Sequence, residues 1–336
     1  MKRNSPRGRL ATAFATAFGV LLGAHAASAL TILTVGKAAP DADTIIPVNI
    51  GDELGIFKKH GLELKIVNFN GGSKMATAMA AGSLDIGVSA GAEMALVAKG
   101  VPMTAVCDDA DPLPFVGIGV PYDSPVHSIA QLKGRKIGFS SAGSLTDWLV
   151  KELVRKEGWA PGAVTGVAIG NSTGNIVSAF RAHLVDADVG DTSRFLDMEL
   201  NKTGRLLIPV SKYEGNLAAG AFYASDHLIK TDPAAVRAFI AGWLDTIHFM
   251  RSHKAETVKL ESAITGYPQS VMAKEYDLTI GMFTSDCKFS AQALKTLKRS
   301  FVELKLLRKA PDMSKLYTER FLPKSSPKLS PKSLPK

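Results

Sequence analysis

The sequence is poor in the residue patterns by which most enzymes and metalloproteins announce themselves. Its 336 residues hold two cysteines, Cys107 and Cys287, and these show no metal-ligand spacing. No His-Glu-x-x-His, Gly-x-Ser-x-Gly or phosphate-loop pattern occurs. Gly71-Gly72-Ser73 lacks the Lys-(Ser/Thr) that would complete a phosphate loop. The histidines beyond the N-terminal stretch, His60, His127, His183, His227, His248 and His253, stand alone and read as structural. The three tryptophans, Trp148, Trp159 and Trp243, show no stacking pattern and read as core. No catalytic residue, metal ligand or cofactor is nominated, and beyond the N-terminal stretch no apolar run approaches the ~18 residues of a membrane span.

What is present begins at the N-terminus. Lys2, Arg3, Arg7 and Arg9 precede an apolar run from Leu10 to Ala24, and Ala27-Ser28-Ala29 supplies the small residues that a signal peptidase reads. Residues 1–29 are therefore expected to be a secretory signal peptide cleaved after Ala29, with no Cys there for lipid attachment. An uncleaved membrane anchor is the alternative. At the other end, residues 322–336 read LPKSSPKLSPKSLPK, a Pro/Ser/Lys tail with too little apolar surface to order itself. Its four lysines suit adhesion to anionic surfaces, but a solvated tail is the simpler reading. Leader and tail carry four basic residues each and no acid, so of the net +9 only +1 remains for the body. A neutral body does not present the basic face that nucleic-acid binding needs.

The body alternates short β-rich runs with amphipathic stretches, an α/β pattern. Leu30 to Gly36, Leu64 to Phe69, Leu84 to Ser89 and Val101 to Cys107 read as strands, and Thr44 to His60 as a helix closed by Gly61. A second unit has strands at Lys136 to Phe139, Val164 to Ile169, Ala187 to Val189 and Leu206 to Val210. A return segment follows from Ala218, mostly helical. This predicts two lobes, with passages between them near Phe115–Pro121 and Leu217–Ala224. Lobe 1 would comprise residues 30–118 and 220–321, and lobe 2 residues 119–219. A ligand would bind in the cleft between them.

Loops at strand ends supply the candidate contacts. Gly71 and Gly72 allow close approach of backbone, and Ser73 reads as a helix N-cap. Ser141, Gly143, Ser144, Leu145 and Thr146 occupy the equivalent place in lobe 2. Ser144 and Asp147 there fit a capping box. Two helix starts facing each other suit an anionic oxygen cluster, although Asp147 could instead address a ligand amine. Asp191, Thr192 and Arg194 follow another strand. Arg194 suits a carboxylate or sulfonate, or else a surface ion pair. Ala38, Asp41, Ser89 and Ala90 follow strands of lobe 1. Each of these positions has a simpler reading as ordinary capping or packing. Cys107 and Cys287 either pair or remain two buried free thiols, the second being favoured.

Four segments together resemble one family: GDELGIFKKHGLELKIVNFNGGSKM from Gly51, AAGSLDIGVSA from Ala80, IAQLKGRKIGFSSAGSLTDWLVKELV from Ile129, and HLIKTDPAAVRAFIAGW from His227. Their order and spacing are similar to the periplasmic binding proteins of nitrate, sulfonate, taurine and bicarbonate importers, which are related to the thiamine-pyrimidine synthesis proteins. The resemblance implies a two-lobed type II periplasmic binding protein fold. It also implies a monomeric receptor for a small, anionic solute, partnered by an inner-membrane ABC permease with its cytoplasmic ATPase. A pyrimidine-precursor binding or synthesis protein, or a ligand-presenting sensory module, is the alternative. One departure stands out: where relatives carry Gly before Val-Asp-Ala, this chain reads Ala182-His183-Leu184-Val185-Asp186-Ala187. N-terminal sequencing of the exported protein should begin at Leu30 or within a few residues. An intact Met1 in the periplasmic fraction would sink the export expectation.

Overall fold

The computed structural model describes residues 29–111, 115–212, 220–303 and 305–324. The expected leader up to Ser28, and the tail beyond Lys324, lie outside these residues. Ten strands are β1 (Thr31–Lys37), β2 (Leu62–Asn68), β3 (Ile86–Ser89), β4 (Met103–Ala110), β5 (Val116–Val120), β6 (Lys136–Phe139), β7 (Thr165–Ala168), β8 (Ala187–Asp191), β9 (Arg205–Pro209) and β10 (Gly220–Ser225). They form two five-stranded sheets in the orders β2-β1-β3-β10-β4 and β7-β6-β8-β5-β9.

The two sheets repeat one plan. In each, four strands run in one direction, three of them adjacent, and the strand in fourth place runs antiparallel to both its neighbours. The antiparallel strands β5 and β10 are the first strands after the chain passes from one sheet to the other. All of β5 lies in the second sheet, so that passage falls upstream of Val116, earlier than Phe115–Pro121 suggested. For the second passage, β10 already lies in the first sheet from Gly220, and the expected Leu217–Ala219 lie outside the described residues.

The motifs behind the pattern have local causes. Asp85, which leads into β3, accepts the Thr34 N–H of neighbouring β1 at 2.8 Å. Asp186 does the same in the second sheet for the Lys136 N–H, at 2.9 Å. Each carboxylate satisfies a strand N–H that the shorter parallel neighbour leaves open. The turn before Asp186 is where the family glycine is missing, and His183 takes up the left-handed conformation in its place, with φ 52°. The single helix expected over Thr44–His60 is two, Ile46–Glu53 and Ile56–Lys59, because Gly55 at φ 64° breaks it.

The return helix Pro233–Ser252 packs its apolar face on the first sheet. Trp243 meets Phe222 edge-on at 4.6 Å between ring centres, and Phe239 stacks on Phe57 at 5.2 Å. Trp148 and Trp243 are fully buried, as core residues. The return region covers the edge strand β4, through bridges Ala105–Tyr317 and Ala110–Phe283.

Cys107 on β4 and Cys287 in this return region are bonded rather than free, with Cα atoms 4.6 Å apart. Sequence distance hid this proximity: the partners lie 180 residues apart and meet only because the return segment lines β4. A loop of that length makes the bond worth about 5 kcal/mol in the chain-entropy treatment. Thiol labelling of the denatured, unreduced protein should therefore find no reactive thiol. Reduction should lower the unfolding free energy by about that amount; two labelled thiols per chain would refute the pairing.

Candidate functional site

In open α/β sheets, ligand sites lie beyond the carboxyl ends of the parallel strands. Those ends face one another across the two sheets here and enclose a cavity of about 70 Å³, room for several waters. Ala38 follows β1, Ser89 and Ala90 close β3, Ser140 follows β6, and Asp191 ends β8; all line it. Gly71, Gly72, Ser144, Leu145, Thr146 and Arg194 line it from helix starts. Helices Gly72–Ala80, Leu145–Lys156 and Thr192–Leu200 all begin at this cavity. Their first N–H groups have no partner within the helix, which gives the walls positive character without a lysine.

Several expected residues sit beside the cavity rather than in its lining. Ser73 is not a cap: the N-cap is Gly71 at φ 120°, and Ser73 lies inside the first turn. Its hydroxyl crosses the cleft instead, donating to the Ala142 carbonyl at 2.6 Å. Ser141 reaches the Ser73 oxygen at 2.8 Å, so with Ser73's only proton already used, Ser141 is the donor. The pair links the lobes. Gly71 makes room for it, since a Cβ there would fall 2.1 Å from the Ser141 hydroxyl. Gly143, at φ 79°, gives its N–H to Asp147 at 2.7 Å. Asp147 also binds Lys151 at 2.7 Å, so it serves the helix start and its own helix rather than a ligand amine. Ser144 caps as expected, accepting the Asp147 N–H. Thr192 is buried beside the lining.

Arg194 is not a surface residue: it is 1% exposed and bridges Asp41 of the first lobe, at 3.2 Å, and Asp191 of its own, at 3.1 Å. Asp41 in turn accepts the Tyr267 hydroxyl at 3.2 Å, and Tyr267 meets Thr173 of the other lobe at 2.8 Å. Nearby, the Ser193 hydroxyl donates to Asp43 across the lobes at 2.8 Å. The Arg194 Nε atom has no partner among the described residues. Neither oxygen of buried Asp188 has one either, and burial pushes its carboxyl up to about 7 despite the nearby Arg194.

Sequence reasoning missed other lining residues: Glu93, Asn171, Phe115, Thr44 and the apolar Ile45, Val116 and Val189 among them. Asn171 follows β7 as Asn70 follows β2, and its amide donates to the Ala38 carbonyl of the other lobe at 3.3 Å. The strand-end rule that found Ala38 and Ser89 would have found it. Glu93 sits inside a turn of Gly91–Glu93 and looks in sequence like any first-turn acid. In the structure it is 1% exposed, and burial raises its carboxyl to about 7. Among the described residues, no group of three or more His, Cys, Asp or Glu is arranged to hold a metal ion.

The raised carboxyls make stability depend on pH. The native state holds Glu93 and Asp188 protonated up to about 7, whereas in the unfolded chain they ionise from 4.5 and 3.8. Their contribution is full below the unfolded values and is lost as pH rises through about 7. Without ligand, the melting temperature should be higher at pH 5 than at pH 8, and Glu93→Gln should flatten part of that slope. A melting temperature that rises between pH 5 and 8 would contradict this protonation.

Comparison with known proteins supports the geometry. The structure resembles the alkanesulfonate-binding protein of Xanthomonas axonopodis pv. citri, solved bound to MOPS, with TM-score 0.72 and 20% identity over 85% of this chain and 96% of that one. It also resembles the periplasmic nitrate-binding protein of Synechocystis PCC 6803, with TM-score 0.68 and 13% identity over 87% of each chain. At these identities the likeness establishes the periplasmic binding protein fold. In sequence, the 4-amino-5-hydroxymethyl-2-methylpyrimidine phosphate synthase THI11 of Saccharomyces cerevisiae is 26% identical over 212 residues, 58% of this chain and 60% of that protein. The chain thus spans about 60% of the length of such curated relatives. The family model described as NMT1/THI5 like matches residues 43–257, well over half of the sequence, and the chain belongs to that family.

Proposed function

We propose that this chain is the solute receptor of an ABC-type importer, exported to the periplasm and acting as a monomer. It captures a small solute between its lobes and delivers it to an inner-membrane permease driven by a cytoplasmic ATPase. The observation that carries this reading is the cavity itself, whose walls come from both lobes and exist only when the lobes meet. The anionic end of the solute would lie against the helix starts at Gly72 and Thr192, beside Arg194. Ser144, Thr146, Ser89 and Ala90 would offer it hydroxyl and backbone groups.

A synthase is the competing reading, because yeast relatives carry that name. The cavity lining favours binding instead, for among the described residues it holds no Lys, His or Cys. Lys37 is close by but is committed: its ammonium donates to the Pro40 carbonyl at 2.7 Å and to Asn49 at 2.5 Å.

Closure gives the decisive measurement. A thermal-shift panel of nitrate, alkylsulfonates, aromatic acids and pyrimidines should yield one stabilising class. Ligand at 100 times its Kd should add about 2.7 kcal/mol to stability. Small-angle scattering should then record a smaller radius of gyration. Ser141→Ala removes the donor of the Ser73–Ser141 contact and should weaken binding roughly fivefold, about 1 kcal/mol, with little effect on stability. Ser144→Ala should instead cost about 1 kcal/mol of stability as a lost cap. Tight binding without any change in radius would argue against a closing receptor.

A further inference from the structure

The geometry points to Glu93 as the residue that selects a ligand bearing an N–H donor, so that the solute is two-ended: an acidic group at the helix starts and an amine at Glu93. This rests on the binding-protein reading above and names the chemical class it takes.

Glu93 enters the cavity from the first lobe and is 1% exposed. The chain makes room for its carboxyl at Gly72, where a Cβ would fall 1.9 Å from Oε1. The carboxyl accepts hydrogen bonds from the backbone N–H groups of Glu93 and Ala90, from the Ser89 side chain and from the Leu145 backbone N–H of the facing lobe. It therefore already stands at the start of helix Leu145–Lys156. Its Oε2 atom has no hydrogen-bond partner among the described residues. No Lys or Arg is among the groups that act on it.

A buried acceptor without a donor is costly to keep, and an uncompensated buried carboxylate more so. A bare inorganic anion would oppose ionisation of the carboxyl, since two negative charges would then share a low-dielectric cavity, and it brings no donor for Oε2. An ammonium or amine supplies what is missing: a donor for Oε2 and a countercharge for the ionised form. The rest of the cavity answers to the opposite end of such a molecule. Arg194 and the starts of helices Gly72–Ala80 and Thr192–Leu200 remain for the acidic group, and Phe115, Val116 and Ile45 wall the short apolar link between the ends. Arg194 is itself flanked by Asp41 and Asp191, so the cavity as a whole is rich in carboxylates. A zwitterion suits that balance better than a lone anion.

The test uses matched probes that differ only in the amine: 2-aminoethanesulfonate against 2-hydroxyethanesulfonate, and 3-aminopropanoate against 3-hydroxypropanoate. Each is titrated calorimetrically into the purified exported protein and into Glu93→Gln, with circular dichroism and melting to check the fold. The protein should bind an amine probe at least about tenfold more tightly than its hydroxyl twin, the usual reach of one charge-assisted hydrogen bond. Glu93→Gln keeps the shape but points an amide at the ammonium. It should erase that preference, while the hydroxyl probes change by no more than about threefold. Should Glu93→Gln fail to fold, the ratio measured on the unaltered protein decides alone. Hydroxyl probes or nitrate bound as tightly as the amines, or an amine preference that survives Glu93→Gln, would overturn the role given to Glu93 and leave the receptor reading standing. No binding by any probe would overturn the two-ended ligand and leave the receptor reading to be decided by the wider thermal-shift panel.

Discussion

Arg194 is the group on which the closed shape depends. A guanidinium taken almost wholly out of water must find anions or force the site apart. It finds one on each side of the cleft: Asp191 three residues earlier on its own lobe, and Asp41 on the other. The bridge can be complete only when the lobes meet. Around it the smaller interlobe contacts fall into register: Ser193 with Asp43, Tyr267 with Thr173, Ser73 with Ser141 and Ala142, and Asn171 with Ala38. None of these neutral hydrogen bonds contributes much singly. Together they set where the helix starts stand relative to one another, and so set the size of the cavity.

The same bridge bears on what the cavity can recognise. Two carboxylates already share Arg194, so it offers a ligand only part of its charge. The remaining positive character comes from backbone, at helix starts that cost no extra desolvated cation. This is a way to hold an anion in a protein whose body is nearly neutral.

Much of the architecture was legible because it rests on periodicity. Alternating strands and amphipathic stretches gave two αβ units, and loops after strands gave Ala38, Ser89, Gly71, Ser144 and Asp191 as cavity residues. What escaped rests on distance or on rotamer. Ser73 and Ser141 have the composition of helix caps, and only the facing lobe reveals that their hydroxyls bond each other. Arg194 next to Asp191 looks like a surface pair; its burial depends on Asp41, which is 153 residues away. Glu93 is a lone acid in an apolar run, and no spacing rule singles it out. The disulfide was misjudged for the same reason, since nothing local says that the return segment lies along β4.

That disulfide also explains how stability and movement coexist. A receptor of the kind proposed would have to stay folded with its cleft empty, yet its lobes would have to separate to admit a solute. A crosslink between lobes would oppose opening. Cys107 and Cys287 both belong to the first lobe, where the return region covers β4. The bond thus restrains the unfolded chain while leaving the passages before Val116 and Gly220 free of it. Among the described residues the polar contacts that cross the cleft are hydrogen bonds and one shared guanidinium, which water can replace when the lobes part, and Leu196 adds apolar packing against the first lobe. Covalent restraint sits within a lobe and exchangeable polar contacts sit between lobes. That division lets ligand contacts, rather than the fold itself, decide the balance between open and closed forms.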